Sequence, residues 1–515
     1  MIESELKIAL DPKGLARLRR HPALAAMRRA PRRIETLLSV YYDTPGRTLA
    51  AAGTSLRLRR VGRGWVQTIK RRTGGTAAGG FFSHREDERP APGGRLVLDG
   101  EDADGALADV AEAAAGAPLS PVFETRIRRT VERLTPPGGG EVELALDDGE
   151  IRAGEARLPV RELEIELKQG GVDAVYAVAR ALFDRGPVRF SAANNAAIGY
   201  RLLRSEAPPA LAPRRAATLA VDPRATVETV ARDVLRDCLG QIADNMAVVA
   251  ESDDEEGPHQ LRVGLRRLRT ALRVFGPSLG EPAMAPLNAA ARALGQLVGR
   301  LRDADVLVSE VVEPAAALGL DPAAREALVG ALEARRSAER AGVRAGLAEA
   351  VGFLFDLGLF IEGRGWLAPS DYGQSERLAA PVADAAPDLL ERQHRRVRKA
   401  GKHVRSLDSH GLHELRKKLK QLRYAVDMLG PLYAADEVGP YLGALKALQD
   451  SFGSLNDAAM AEASLTGPEA PAAADPAAQR GVGWVLGSLG VRAGDDRPRL
   501  FDRWERLRDA KPFWR

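Results

Sequence analysis

MIESELK (1–7) and RELEIELK (161–168) are built alike, with charged and apolar residues taking turns. In an extended chain successive side chains point to opposite faces. Glu3, Glu5 and Lys7 then share one face, and Ile2, Leu6 and Ile8 the other. Likewise Glu162, Glu164, Glu166 and Lys168 oppose Leu163, Ile165 and Leu167. The same period of two runs through SLRLRR (55–60), FETRIRR (123–129) and EVELAL (141–146). Between these stretches lie GGTAAGG (74–80), PAPGG (90–94) and PPGGG (136–140), clusters that turn a chain. Residues 1–205 therefore read as an antiparallel β-rich domain, interrupted by helical patches near 12–29 and 172–185.

Working outward, residues 206–224 (EAPPALAPRRAATLAVDPR) are rich in proline and alanine and read as a linker. From 225 to 515 the texture becomes long Ala/Leu/Arg segments of helical period with prolines at their ends, an all-helical domain. Residues 466–478 (TGPEAPAAADPAA) read as a flexible loop within it. The fold class expected is α+β multidomain. A chain of 515 residues exceeds one ordinary core. Its single cysteine, Cys238, excludes an internal disulfide framework. No apolar run approaches the roughly 20 residues that cross a bilayer, and no secretory signal is visible, so a cytoplasmic location is expected. The net charge of +5 is mild, and its clustering says more than its sum.

The helical half repeats itself. HQLRVGLRRLR starts at His259 and HELRKKLKQLR at His413, 154 residues later. The same offset pairs Arg262 with Arg416, Arg266 with Lys420, Arg269 with Arg423, and LRDAD (301–305) with LNDAA (455–459). Two related bundles are expected, about 225–375 and 380–515. At 100° per residue His259, Arg262, Arg266, Arg269 and Arg273 fall within an arc of about 80°. In the second copy His413, Arg416, Lys420 and Arg423 repeat that arc, with Lys417 beside it. A charged arc is ordinarily a solvated face. Here the first copy has no acidic residue from 257 to 280, and like charges one turn apart repel. An anion is the expected occupant, nucleic acid or polyphosphate. Aromatics are only 5% of the chain and the basic arcs have almost none apart from Tyr424, which argues against base stacking and for a ligand made of phosphate alone.

In the β half, a charged face is also what any half-solvated sheet presents. What distinguishes these strands is sorting. Arg57 and Arg59, Lys70, and Arg126 and Arg128 come from cationic strands, whereas 1–7, 141–148 and 161–168 carry mainly carboxylates. Closed with charges inward, such strands would place hard-oxygen ligands for Mg²⁺ or Mn²⁺ opposite a cationic clamp for phosphate, the requirements of phosphoryl chemistry.

Both halves resemble known families. E-x-E-x-K at the N-terminus, YYDTP (41–45), G-x-S-L-R-L-R-R (53–60), W-x-Q-T-x-K (65–70) and E-x-E-x-E-L-K (162–168), five motifs in order, resemble the CYTH domain of the triphosphate tunnel metalloenzymes. The duplicated H-x-x-R-x-x-x-[RK]-x-x-R with L-[RN]-D downstream, and the closing KPFW (511–514), resemble the CHAD domain. The first resemblance implies an eight-stranded antiparallel β-tunnel that hydrolyses inorganic or thiamine triphosphate, or cyclises ATP, with a divalent metal. It implies Glu3, Glu5, Glu164 and Glu166 as metal ligands, with Glu143 and Glu162 as further candidates. Lys7, Arg57, Arg59, Lys70, Arg126 and Arg128, joined by Arg85, would bind phosphates, and Glu3, Glu5 and Lys7 would carry catalysis. The second implies paired helical bundles binding inorganic polyphosphate through His259, Arg262, Arg266, Arg269, Arg273, His413, Arg416, Lys417, Lys420 and Arg423. Each histidine has the alternative of only orienting its helix start, since neutral imidazole holds phosphate weakly.

One departure matters. Such tunnels commonly carry a pattern like S-K-x-x-R-G-Y, and NNAAIGY (194–200) puts Asn195 and Ile198 at the cationic positions. The expected function is metal-dependent hydrolysis of inorganic triphosphate coupled to polyphosphate binding. The alternative is a non-catalytic polyphosphate-binding protein of granules with a degenerate tunnel. Adenylyl cyclase ranks below both, since nothing identifies an adenine pocket, and thiamine triphosphatase is likewise the lesser expectation.

Overall fold

A computed structural model describes residues 2–72, 78–100, 105–191, 193–204, 206, 211–467, 470 and 475–515. Residues 74–77 of the first glycine cluster, 207–210 of the linker, and 468–469 and 471–474 of the expected loop lie outside these. The chain forms two compact units, Met1–Ala212 with Val351–Gly365, and Pro213–Ala350 with Trp366–Arg515.

The first unit is a closed antiparallel barrel. Its strands are β1 (Ile2–Ala9), β2 (Arg33–Asp43), β3 (Thr54–Val61), β4 (Gly64–Arg72), β5 (Phe81–Pro90), β6 (Ser120–Leu134), β7 (Glu141–Ala153), β8 (Ala156–Gln169) and the two-residue β9 (Arg189–Phe190). They run in the order β5-β4-β3-β2-β6-β7-β8-β1, and β1 pairs with β5 to close the ring, with β9 added on β1. Closure removes the open edges that would otherwise seek partners. The expected alternation is realised. Leu6, Ile8, Leu163 and Ile165 are at most 1% exposed on the outer wall, each worth roughly 2 kcal/mol of transfer energy. The carboxylates between them line the interior. Between and after the strands lie the helices α1 (Pro12–Leu18), α2 (Pro22–Met27), α3 (Thr48–Ala51), α4 (Ala106–Ala114), α5 (Asp173–Leu182) and α6 (Asn195–Leu203). α4 covers Leu49, Leu56 and Ile69 through Ala106, Leu107 and Val110. α6, capped by the Asn194 side chain on the Ala197 N–H, brings Ala196, Ile198 and Tyr200 onto Tyr41, Phe123, Ile151 and Val160. By strand alternation Val160 shares the face of Glu162 and Glu164, so this end of the tunnel is an apolar plug.

The second unit holds α7 (Val227–Glu251), α8 (Glu256–Val274), α9 (Gly276–Leu279), α10 (Glu281–Asp305), α11 (Glu313–Ala316), α12 (Pro322–Glu349), α14 (Tyr372–Ala379), α15 (Val382–Ala400), α16 (Ser409–Leu429), α17 (Ala435–Thr466) and α18 (Pro476–Asp509). Side-chain caps open several of them, Thr226 on α7 and Asp408 on α16 among them. α8 packs between α7 and α10 and against α16.

Helical texture placed 351–365 in the helical half. In the structure α13 (Gly352–Glu362) belongs to the barrel unit and packs on α5. Its sequence GFLFDLGLFIE is apolar nearly all round, and burial on several sides is what such a helix requires. Phe355 lies 6.3 Å from the Phe183 ring and 6.1 Å from that of Phe190, and Asp356 pairs with Arg180. Gly358 sits so close to Tyr176 that a Cβ would be 2.6 Å from the ring.

Candidate functional site

Within the barrel, two charged clusters line one interior. The first spans β1, β4 and β5. Lys70 Nζ lies 3.0 Å from Glu3 Oε2, 2.7 Å from Glu86 Oε2 and 2.9 Å from His84 Nε2. His84 Nε2 is 3.0 Å from Glu3 Oε2 and 3.9 Å from Glu5 Oε1. Ligand atoms of Glu3, His84 and Glu86 all fall within 4.8 Å of one another. Burial opposes charge on Glu3, but hydrogen bonds to His84 and Glu86 and the Lys70 ammonium hold its carboxyl far below the usual range. Burial, with the proton shared with Glu3, pushes Glu86 up to about 7. Two carboxyls forced to share a proton beside an imidazole form a donor set suited to a divalent cation, which would neutralise both.

The second cluster spans β1, β6, β7 and β8. Lys7 is paired with Glu164, and its Nζ is 3.3 Å from Glu5 and 3.8 Å from Glu162. Arg129 grips Asp147 with two bonds of 2.8 and 2.7 Å and reaches Glu164 at 2.5 Å. Burial opposes the charge on Glu164, yet Arg129 and Lys7 keep it ionised well below the normal range. Glu162, which accepts a hydrogen bond from Ser191, is pushed up to about 8, by burial and, despite Lys7, by its neighbour Glu164. Between the clusters stand Arg57 and Arg59. Arg57 meets Glu86 at 3.4 Å, while its buried Nε donates to no described residue. Arg59 donates to Ser39 at 3.2 Å and is pulled down to about 10 by burial, Arg57 and Arg129. A buried guanidinium depressed by like charge is a site awaiting an anion.

Some expected residues lie elsewhere. Arg85 is exposed on the outer face of β5, because the inward residues of SHREDER are His84 and Glu86. Arg126 and Arg128 are exposed on the outer face of β6, and Arg129 takes the inward position. A one-residue choice of phase flips every side chain. Glu143 shares the face of Asp147 on β7, and there meets Arg33 and Arg133 at 3.6 and 3.9 Å, both more than half exposed. Glu166 does share the interior face, opposite Glu5 on β1, and is held by Lys168 at 2.6 Å. His84, Glu86 and Arg129 were legible only as alternation within SHREDER and TRIRRT, where either phase offers charge. At the departure, Ile198 packs in the apolar plug, and Asn195 Oδ1 is buried with no hydrogen-bond partner among the described residues.

Within the helical unit, the basic arcs of α8 and α16 converge. Lys420 is pulled down to about 6 by burial and by Arg266, Arg416, Arg262 and Arg423. Arg416 is lowered by burial, Arg266 and Arg262, and Arg266 by burial, Arg262 and Arg423. The first copy, without an acid of its own from 257 to 280, does have one brought to it from further along the chain. Asp303, of the LRDAD repeat, accepts from Arg262 at 2.7 Å. In the second copy Arg416 uses Asn456 instead, at 3.3 Å, and its buried Nε has no partner among the described residues. Arg269 and Arg423 donate to the neutral amides of Asn288 and Gln449 at 3.0 and 3.2 Å. Lys417 is exposed and paired with Glu414, and Arg273 is exposed at the end of its helix. His259 and His413 are both lowered, by burial first and then by neighbouring cations, which keeps them neutral near pH 7.

Comparison with known proteins agrees with this division. A family model described as the CYTH domain matches residues 1–200, and one described as the CHAD domain matches 233–466. An inorganic triphosphatase of Haemophilus influenzae is 30% identical over 202 residues, covering 39% of this chain and 54% of that protein, so the match spans about half the length of that relative. An uncharacterized protein of Mycobacterium tuberculosis is 28% identical over 426 residues, 77% of this chain and 76% of its own length. The crystal structure of the CHAD domain from the plant Ricinus communis matches with 26% identity and a TM-score of 0.49, covering 58% of this chain and 98% of that one.

Proposed function

The chain belongs to the CYTH and CHAD families, one domain of each, and on that premise we propose that its tunnel hydrolyses inorganic triphosphate with Mg²⁺ or Mn²⁺ while its helical unit binds inorganic polyphosphate. The observation that carries the reading is the tunnel interior, where the Glu3–His84–Glu86 donor set faces Arg57, Arg59 and Lys70. The matched relative named an inorganic triphosphatase supports it.

In this reading Glu3, His84 and Glu86, with Glu5 beside them, hold the divalent cation, which when bound offsets charge on the phosphate oxygens and the leaving diphosphate. Arg57 and Arg59 bind and orient the phosphate chain, and Lys70 keeps the carboxylates ionised. Lys7 and Arg129, tied to Glu164, set the far wall and stop the substrate from sliding deeper. The apolar plug at α6 excludes water from that end. Purified full chain is expected to release phosphate from triphosphate with either cation, and Glu3→Gln to lose it. If no cation supports release while triphosphate still binds, the hydrolase reading fails. That outcome would favour the binding-only alternative, which the uncharged Asn195 and Ile198 support. Offering ATP and thiamine triphosphate in the same assay, read as cyclic AMP or phosphate, separates the other tunnel activities.

The polyphosphate reading rests on the convergent arcs of α8 and α16. Retention on immobilised polyphosphate at moderate salt tests it, and no retention would sink it. Association with polyphosphate granules is the matching expectation in the cell.

A further inference from the structure

We propose that Lys420 is a nucleophilic lysine, acylated at Nζ by small acyl phosphates whose phosphate is seated by the surrounding arginines. The placement carries the argument. Lys420 stands one turn from Arg416 and nearly one turn from Arg423 on α16, with Arg262 and Arg266 contributed by α8. Among the described residues it makes no ion pair and no hydrogen bond. Of the nearby acids, Asp303 is engaged by Arg262, and Asp457 lies next to Asn456, the partner of Arg416. Half-buried among four guanidinium groups, the ammonium is the least favourable charge in the cluster, since an arginine does not give up its proton and a lysine can. The amine is thus deprotonated near neutral pH, as the direction of its shift also indicates. An uncharged amine beside anion-binding groups is the arrangement that activates a lysine for attack on carbonyl carbon.

The step balances without an added reagent. The Nζ lone pair attacks the carbonyl carbon of the acyl phosphate, the N–C bond forms, and the bond from that carbon to the bridging oxygen breaks. The electron pair leaves with inorganic phosphate, which takes the proton lost from nitrogen. The product is a neutral amide that can no longer take up a proton, so the charge a bound anion would restore there is lost. The inference stands on the cluster itself, whichever polyanion occupies it.

The experiment treats the full chain with acetyl phosphate at pH 7 and follows acetylation of each lysine by mass spectrometry. Lys417, exposed on the same helix and paired with Glu414, is the internal reference. Lys420 is expected to react at least about tenfold faster than Lys417. Inorganic phosphate is expected to slow Lys420 and leave Lys417 unchanged, and Arg266→Gln to lower the ratio. Acetic anhydride, which carries no phosphate, should show the Lys420 preference in phosphate-free buffer, since it needs only the uncharged amine. Equal rates at the two lysines, or a Lys420 rate under acetyl phosphate that inorganic phosphate leaves untouched, would overturn the proposal. The phosphate competition uses the unmodified protein, so the test survives a variant that fails to fold.

Discussion

Glu3 and Lys420 show what burial does to opposite kinds of charge. Glu3 keeps its charge because Lys70, His84 and Glu86 all reach it. Glu3→Gln removes an anionic donor from the tunnel, and the expected result is a loss of at least about a hundredfold in triphosphate hydrolysis, read as phosphate release, with the fold intact by circular dichroism. Lys420 stands among four arginines, and the acids near it, Asp303 and Asp457, are engaged by Arg262 and Asn456. A bound polyanion would restore its charge, so binding takes up a proton wherever the pH exceeds the free value of about 6. The sign follows directly. Polyphosphate affinity falls as the pH rises from about 6 toward 8, and Lys420→Arg flattens that slope because arginine stays charged throughout. Dissociation constants measured across this range check it. A slope that survives Lys420→Arg would assign it to another group, with His259 and His413 next in line.

At the scale of elements, the two basic helices act as a pair. Arg262→Ala and Arg416→Ala should each weaken polyphosphate binding and reduce the dependence of log affinity on log salt by about one, because each removes one cation that releases a counterion. The two should differ in a second readout. Arg262 is hydrogen-bonded to Asp303, so its loss leaves that carboxylate unpaired beside the anion path, whereas Arg416 bonds the neutral Asn456 and feels Asp457 only through space. The larger defect is expected for Arg262→Ala. The α13–α5 contact offers a separate test. Gly358→Val forces a side chain against the Tyr176 ring and should cost about 1–3 kcal/mol in thermal unfolding of the barrel unit.

For the whole molecule, the two chemistries sit in separate compact units and should fail separately. Chelation of divalent cations should abolish triphosphate hydrolysis and leave polyphosphate retention unchanged, since the helical cluster has cations where the tunnel has carboxylates. Glu3→Gln should repeat that pattern, and Arg416→Ala reverse it. Joint loss in both variants would mean that the sites are coupled.

The primary structure by itself determined the barrel and the bundle, because periods of 2 and 3.6 are local properties that burial then enforces. It also determined the repeat, and with it the pairing of Arg262 with Arg416 and of Asp303 with Asp457 in sequence. It named Glu3, Glu5, Lys7, Arg57, Arg59 and Lys70 as one interior. Only the tertiary structure decided the phase of β5 and β6, since SHREDER and TRIRRT put charge on both faces and nothing local selects one. His84, Glu86 and Arg129 came inward through pairing across strands far apart in the chain, and Arg85, Arg126 and Arg128 went out. The structure alone also showed that Asp303 reaches back 41 residues to Arg262, that α13 joins the barrel unit, and that Lys420 makes no ion pair among the described residues. Those are contacts between segments separated in sequence, and their energy depends on distances that no local pattern contains.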